Sequence, residues 1–371
     1  MAHAILSPSS AHRWLKCTPS ARLESLEPAT ESSAAAEGTN AHKLAEVLLK
    51  SLNGENLTPE EVKEPYLSDY YSQEMDRHIE GYVNLITKRS EGGAVLIEKR
   101  VSLDKYAPQS FGTVDCIILK DGVMEIIDLK YGQGVAVSAK NNPQLRLYAL
   151  GAYNEFNFIY DIDKVKMTIY QPRRDGESSE ELTIKELLEW GESIKSRAKM
   201  AFNGEGVMTD GKHCKFCKVQ YKCPQMLKEF EKLDCESLPT DENKIKAVLD
   251  KADTVIEFIN QVKNYAYQRA LSGQSVKGYK LVQGRSTRKY TDEAQIAKIL
   301  TNAGFKDFYK PSSLIGVGEM EKLLGKQGFS ELLSDYVKKT APKPSLVKAS
   351  DPREAFNSAV SDFKGEIEND N

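Results

Sequence analysis

The dipeptide Asp121-Gly122, set between two β-rich runs, constrains this chain more than any other feature. The runs are Gly112-Thr-Val-Asp-Cys-Ile-Ile-Leu-Lys120 and Val123-Met-Glu-Ile-Ile-Asp-Leu-Lys130. Asp-Gly flanked in this way marks a tight hairpin with a two-residue loop. Lys120 then pairs with Val123, and the same register sets Asp115 directly opposite Asp128. Both carboxylates share a sheet face with Lys130, because side chains alternate with a period of two. Like charges directly opposed destabilise a sheet unless something compensates. Ile117, Leu119, Met124 and Ile126 lie on that face too, so it is expected to be buried rather than solvated. Buried carboxylates need a partner or a metal, and their oxygens suit hard ions such as Mg²⁺.

Other residues extend this pattern. His42 and Glu46 are spaced i, i+4 and share one face of a helix. Gln144 and Tyr148 have the same spacing, on a helix that Asn142 can cap and Pro143 can open. Helix-to-sheet contact alone would also account for that pair. Glu98 lies in the strand-like run Val95–Leu103, where a structural role serves as well as a chemical one.

Asp115, Asp128 and Lys130, as Asp…Asp-x-Lys on adjacent strands, resemble the core of the PD-(D/E)XK nuclease superfamily. Gly112-Thr-Val-Asp115, Gly38-Thr39-Asn-Ala-His42-Lys-Leu-Ala-Glu46 and Gln144-Leu-Arg-Leu-Tyr148 resemble its RecB-type exonuclease branch. The resemblance implies an α/β fold, a small mixed sheet flanked by helices, with a mainly helical C-terminal region. It also implies a DNA nuclease using Mg²⁺ or Mn²⁺. In it His42, Asp115, Asp128 and the Leu129 carbonyl hold metal, Lys130 orients the attacking water, and Gln144 and Tyr148 position Lys130 and the nucleic-acid strand. Glu98 matches a glutamate of the branch.

The six cysteines are Cys17, Cys116, Cys214, Cys217, Cys223 and Cys235. Cys214-x2-Cys217-x5-Cys223 brings three thiolates around one centre, and tetrahedral zinc or an iron–sulfur cluster needs a fourth ligand. His213, Cys235 and the distant Cys17 are the candidates. An N-terminal cysteine joined to a C-terminal triplet resembles the 4Fe–4S staple of AddB-type nucleases and CRISPR-adaptation exonucleases. That implies Cys17 as fourth ligand, with structural Zn²⁺ as the alternative group. Those families commonly have Cys-Pro at the N-terminal position, where this chain has Cys17-Thr18-Pro19. Cys116 points away from Asp115 into the core, and Cys235 reads as a spare thiol.

The chain of 371 residues is 40% hydrophobic and 28% charged, which fits a soluble globular protein of one large domain or two ordinary ones. It contains no run of the ~18 apolar residues needed to span a membrane. Clustered cysteines without a signal pattern lead us to expect a reducing cytoplasm. The net charge of -3 gives no overall attraction to DNA, so any attraction must be local, as in a cleft lined by Lys99, Arg100, Lys130, Lys140 and Arg146, a set that a solvated surface would suit equally.

Residues 1–235 read as the nuclease module, with strands near 95–103, 111–120, 123–130 and 164–171. Residues 51–65 read as a loop, and 174–181 as a turn before a helix at 183–202. A mainly helical accessory region covers 236–337, with one long amphipathic helix from Ile245 to Ala266, and 338–371 reads as a partly disordered tail. The run Lys277, Lys280, Arg285, Arg288, Lys289, with Tyr279 and Tyr290 interleaved, suits either DNA contact or a solvated surface. The whole chain resembles a family of bacteriophage and prophage proteins. That implies a role in phage DNA replication or recombination in the host cytoplasm, beside a single-strand-binding or annealing protein. A structure- or site-specific endonuclease and a non-catalytic nucleic-acid-binding protein remain the other readings.

Overall fold

The hairpin forms as expected. Asp121 and Gly122 both take positive φ, 50° and 73°, as the tight hairpin turn requires. The computed structural model describes residues 4–27, 33–134, 136–174, 176–231, 242–284, 286, 288–306, 308–310, 313–339 and 344–356. Within these, the chain divides into two compact units, Met1–Phe258 and Ile259–Asn371.

In the first unit, helices α1 (Ala11–Trp14), α2 (Ser20–Ser25), α3 (Ser33–Leu52), α4 (Pro59–Lys63) and α5 (Gln73–Ser90) precede a sheet. Strands β1 (Ala94–Ser102), β2 (Phe111–Lys120), β3 (Val123–Leu129), β4 (Lys164–Gln171) and β5 (Gly176–Thr183) lie side by side in that order. Only β3 and β4 run parallel within it, and helix α6 (Pro143–Phe156) makes the connection a parallel pair demands. Helices α7 (Ile184–Asn203) and α8 (Pro224–Glu231) follow the sheet. The fold is an α/β core, a five-stranded mixed sheet flanked by helices.

Apolar residues of β2 and β3 point alternately into two layers. Ile117, Leu119, Met124 and Ile126 join Leu145, Ala149 and Ala152 of α6. Cys116, Ile118 and Ile127 join Leu44 of α3 and Ile79 and Tyr82 of α5. Cys116 is therefore a core residue, as its place in the alternation implies. Asn142 caps α6 through the Gln144 and Leu145 N–H groups, with Pro143 at the first position. Ser7 precedes a 3-10 turn opened by Pro8, but its hydroxyl bonds Ser9 and Ser10 rather than a backbone N–H.

Two expectations need correction. Residues 176–183 form an edge strand, not a turn, paired with β4 from Lys164↔Thr183 to Gln171↔Gly176. Its Ser- and Glu-rich sequence carries little β propensity, and pairing with β4 overrides it. The expected loop at 51–65 contains α4, whose capping box joins Thr58 and Glu61. In the expected tail, Lys338 and Lys339 lie in one strand and Ser345–Lys348 in another; 340–343 and 357–371 lie outside the described residues. The expected boundary after Cys235 and Cys235 itself also fall outside them.

Helix α9 (Glu242–Leu271) leads into the second unit, which contains β6 (Tyr279–Val282), β7 (Arg288–Tyr290), α10 (Glu293–Asn302), β8 (Tyr309–Lys310), β9 (Ser313–Leu314), α11 (Val317–Leu333), β10 (Val337–Lys339) and β11 (Ser345–Lys348). Its core includes Ile296, Leu300, Phe308, Met320, Phe329 and Leu333. Among the described residues, no helix is long and apolar enough to cross a membrane.

Candidate metal centre and cysteine cavity

Three acidic residues occupy one rung of three adjacent strands. The β1–β2 ladder runs through Ile97↔Cys116 and Lys99↔Val114, which sets Glu98 across from Asp115. The β2–β3 ladder reaches Cys116↔Ile127, and Asp115 and Asp128 lie one step beyond it. Asp115 Oδ2 there accepts a 2.7 Å hydrogen bond from the Leu129 N–H. Glu98 has φ 48°, a left-handed conformation that costs a non-glycine residue about 1–3 kcal/mol and clusters at functional sites.

His42 arrives on α3 and places Nδ1 3.4 Å from Asp115 Oδ2. Ligand atoms of His42, Glu98 and Asp115 all lie within 4.8 Å of one another. Asp128 is held differently. Its Oδ1 accepts from Gln144 Nε2 at 2.9 Å, and its Oδ2 lies 2.7 Å from Lys130 Nζ. That second oxygen makes no well-aligned hydrogen bond although it is buried. The Lys130 N–H donates to the Tyr170 carbonyl at 2.8 Å, which continues the β3–β4 pairing and fixes the root of the side chain. Gln144 Nε2 also lies 3.4 Å from the Tyr148 hydroxyl. A Cβ on Gly112 would fall 2.6 Å from the Tyr148 ring and 2.8 Å from Pro8, so this strand position admits only glycine without a shift.

The electrostatics follow from crowding these charges in a buried place. Burial opposes charge on His42, but Asp115 and then Asp128 outweigh it and raise its pKa to about 9. Burial, reinforced by Asp115, pushes the Glu98 carboxyl up to about 8. Burial also acts to raise Asp115, yet His42, Lys130 and the Leu129 N–H hold it below the usual range. Burial pushes Asp128 up; Lys130 opposes this and Asp115 adds to it. Burial works against charge on Lys130, but Asp128 and Asp115 raise its pKa, and burial keeps the Tyr148 hydroxyl protonated. Carboxylate oxygens and an imidazole are donors that suit Mg²⁺ or Mn²⁺, so the set fits a divalent ion.

The structure thus brings His42 and Asp115 together with Glu98, a residue whose role the sequence left open. It keeps Asp128 on Gln144 and Lys130. The expected basic cleft is largely neutralised. Lys99 pairs with Glu155 at 2.5 Å, Arg146 pairs with Glu180 at 3.0 Å, and Arg100 stacks 3.9 Å from the centre of the Phe111 ring.

Cys17, Cys214, Cys217 and Cys223 line one cavity of about 240 Å³, together with His213, Met208 and Met226. The described cysteines are free thiols. Burial pushes Cys214 up to about 11 and Cys217 up to about 12. Segments nearly the whole unit apart in sequence converge here. Thr18 Oγ1 donates to the Glu205 carbonyl, Thr209 Oγ1 to the Lys16 carbonyl, and the Lys218 N–H to Glu24. His213 Nε2 lies 3.0 Å from the Thr209 carbonyl, which also lies 3.7 Å from Cys214 Sγ.

Residues 3–354 match the model of a protein family of unknown function, DUF2800. The chain belongs to that family. Among solved structures, the DUF2800 chain is similar to SSO0001, with 13% identity, a TM-score of 0.27, and coverage of 59% of this chain and 96% of that one. It is also similar to the "putative exonuclease" of Eubacterium rectale, with 13% identity, a TM-score of 0.34, and coverage of 57% and 86%. At scores this low neither likeness bears on function.

Proposed function

We propose that this DUF2800 chain is a Mg²⁺- or Mn²⁺-dependent DNA nuclease that hydrolyses phosphodiester bonds from strand ends. The observation that carries this reading is the half-buried rung Glu98–Asp115–Asp128, with His42 and Lys130 beside it. A protein that only bound DNA would have no use for three opposed carboxylates and a half-buried lysine together. His42, Glu98 and Asp115 would hold the ion, with Asp128 as a further carboxylate. When bound, such an ion lowers the pKa of water and neutralises charge on the phosphate.

The chain's own groups supply the remaining chemistry. Lys130, rooted on Tyr170 and charged beside Asp128, orients the attacking water and stabilises negative charge as it develops. Gln144 holds Asp128 and through it the lysine. Tyr148, kept neutral, offers its hydroxyl beside Gln144 to an incoming strand.

The cysteine cavity is read as the seat of a 4Fe–4S cluster on Cys17, Cys214, Cys217 and Cys223. All four cysteines line one cavity, which supports a shared metal group there; the choice of a 4Fe–4S cluster over zinc rests on the resemblance. A phage role in DNA replication or recombination, beside a single-strand-binding or annealing protein, is proposed on the resemblance alone.

End-labelled single- and double-stranded DNA, linear and covalently closed, would be incubated with the protein and Mg²⁺ or Mn²⁺. Degradation of linear DNA with closed circles spared is expected. Cleavage of closed circles would assign an endonuclease instead, and no cleavage of any substrate would overturn the reading.

A further inference from the structure

In the second unit, cations face each other across a two-stranded ribbon. Arg288 pairs with Lys339 and Lys289 with Lys338, on β7 and β10. All four are exposed. Tyr290 and Val337 occupy the next rung and pack on the unit's core. By alternation Arg288 and Lys339 share that side, and Lys289 and Lys338 face solvent. Arg288 reaches Glu321 and lies 5.6 Å from the centre of the Phe329 ring. Lys289, Lys338 and Lys339 have no carboxylate partner among the described residues. On the second ribbon Lys348 faces Tyr279, which is 49% exposed, and Lys280 faces Val347.

Directly opposed like charges destabilise a ribbon, and here they recur on successive rungs with no anion among the described residues to compensate three of the four. The excess extends through the whole unit. Residues 259–371 hold 18 Lys and Arg against 13 Asp and Glu, a net of +5, whereas residues 1–258 hold 33 against 41, a net of -8. An acidic catalytic unit repels phosphate except at its metal, so affinity for a polyanion must come from elsewhere.

We propose that the β7–β10 ribbon binds the phosphate backbone of DNA, in a unit that holds none of the hydrolytic residues. The proposal rests on the reading of the chain as acting on DNA. An anionic bilayer fits less well, because the solvent face of this ribbon offers no apolar side chain to insert beside its cations.

The test uses the full chain with EDTA, so that binding is read without cleavage. Fluorescein-labelled single-strand and duplex oligonucleotides are titrated by anisotropy across a salt series, with wild type, K289Q/K338Q and K339Q. Loss of two phosphate contacts is expected to lower the slope of log affinity against log salt by about 1.5. The same loss should weaken binding roughly 30-fold at 0.1 M salt, while K339Q lowers the slope by about 0.8. Thermal stability should stay level or rise, since opposed charges are relieved. An unchanged slope in both variants would overturn the proposal. So would intact DNA binding with lost binding to phosphatidylserine vesicles, which would make the ribbon a membrane contact. Failed hydrolysis in Mg²⁺ with the slope change intact would sink the nuclease reading and leave the ribbon standing; hydrolysis with an unchanged slope would do the reverse.

Discussion

The carboxylate rung and the cysteine cavity each gather ligands from distant parts of the first unit, but by different means. The rung is set by strand register: two ladders align Glu98, Asp115 and Asp128, and a single helix adds His42. Ligand atoms of His42, Glu98 and Asp115 already lie within 4.8 Å of one another. The thiols are carried by short turns held through side chain–backbone hydrogen bonds, and they surround a void. A site on hydrogen-bonded strands keeps its shape without an ion. A site on turns around a void depends on what fills it. On the proposed reading, catalysis and structural closure would thereby be separated.

Alterations at the rung should remove chemistry and leave the fold. Asp128→Ala or Lys130→Ala is expected to lower single-turnover cleavage about 10³-fold or more, with DNA affinity and thermal midpoint near wild type. Cleavage at the normal rate by either variant would end the assignment.

Alterations at the cavity should do the opposite. On the proposed reading, cluster ligation by Cys17 would close a loop of about 200 residues and make metal binding part of folding. Protein purified without oxygen should be brown, with iron close to the four atoms of a 4Fe–4S centre. Cys17→Ser should lose the colour and melt several degrees lower, and Cys235→Ser should change neither. Full metal content in Cys17→Ser, with loss in His213→Ala, would make the ligand set local.

A milder contrast lies in pH. A carboxyl raised from 4.5 to about 8, as Glu98 is, lowers the stability of the metal-free fold as pH climbs through that interval, because the unfolded chain ionises first. A bound divalent ion needs the ionised form, so it should restore what is lost. The Mn²⁺-induced rise in melting temperature should therefore grow from pH 6 to 8 and then level off. A flat response, followed by differential scanning fluorimetry, would remove Glu98 from the ligand set.

The smallest expected effect is at Gly112. Gly112→Ala should cost about 1–3 kcal/mol in urea unfolding, because the added methyl meets Tyr148 and Pro8. It should also reduce cleavage modestly by shifting Tyr148 beside Gln144.

The sequence by itself determined the hairpin that carries Asp115 and Asp128. Asp121-Gly122 permits one tight turn, and from that turn the positions of Asp115, Asp128, their apolar neighbours and Lys130 follow by alternation. The α6 cap at Asn142-Pro143 was equally local and equally legible. Glu98 was not. The connection between β1 and β2, residues 103–110, is no two-residue turn, so nothing in the sequence fixes the register that brings Glu98 opposite Asp115. Strand β5 escaped for a related reason, since its polar residues show no apolar alternation and only pairing with β4 makes it a strand. Arg146 and Lys99 read as free cations along the chain, and the fold gave each a carboxylate. The opposed lysines of β7 and β10 are far apart in sequence, and no spacing rule pairs them. Local turn chemistry and side-chain periodicity act over a few residues and are written in order. Register between distant strands and the partners of surface charges are settled by tertiary contacts, because that is where their free energies are decided.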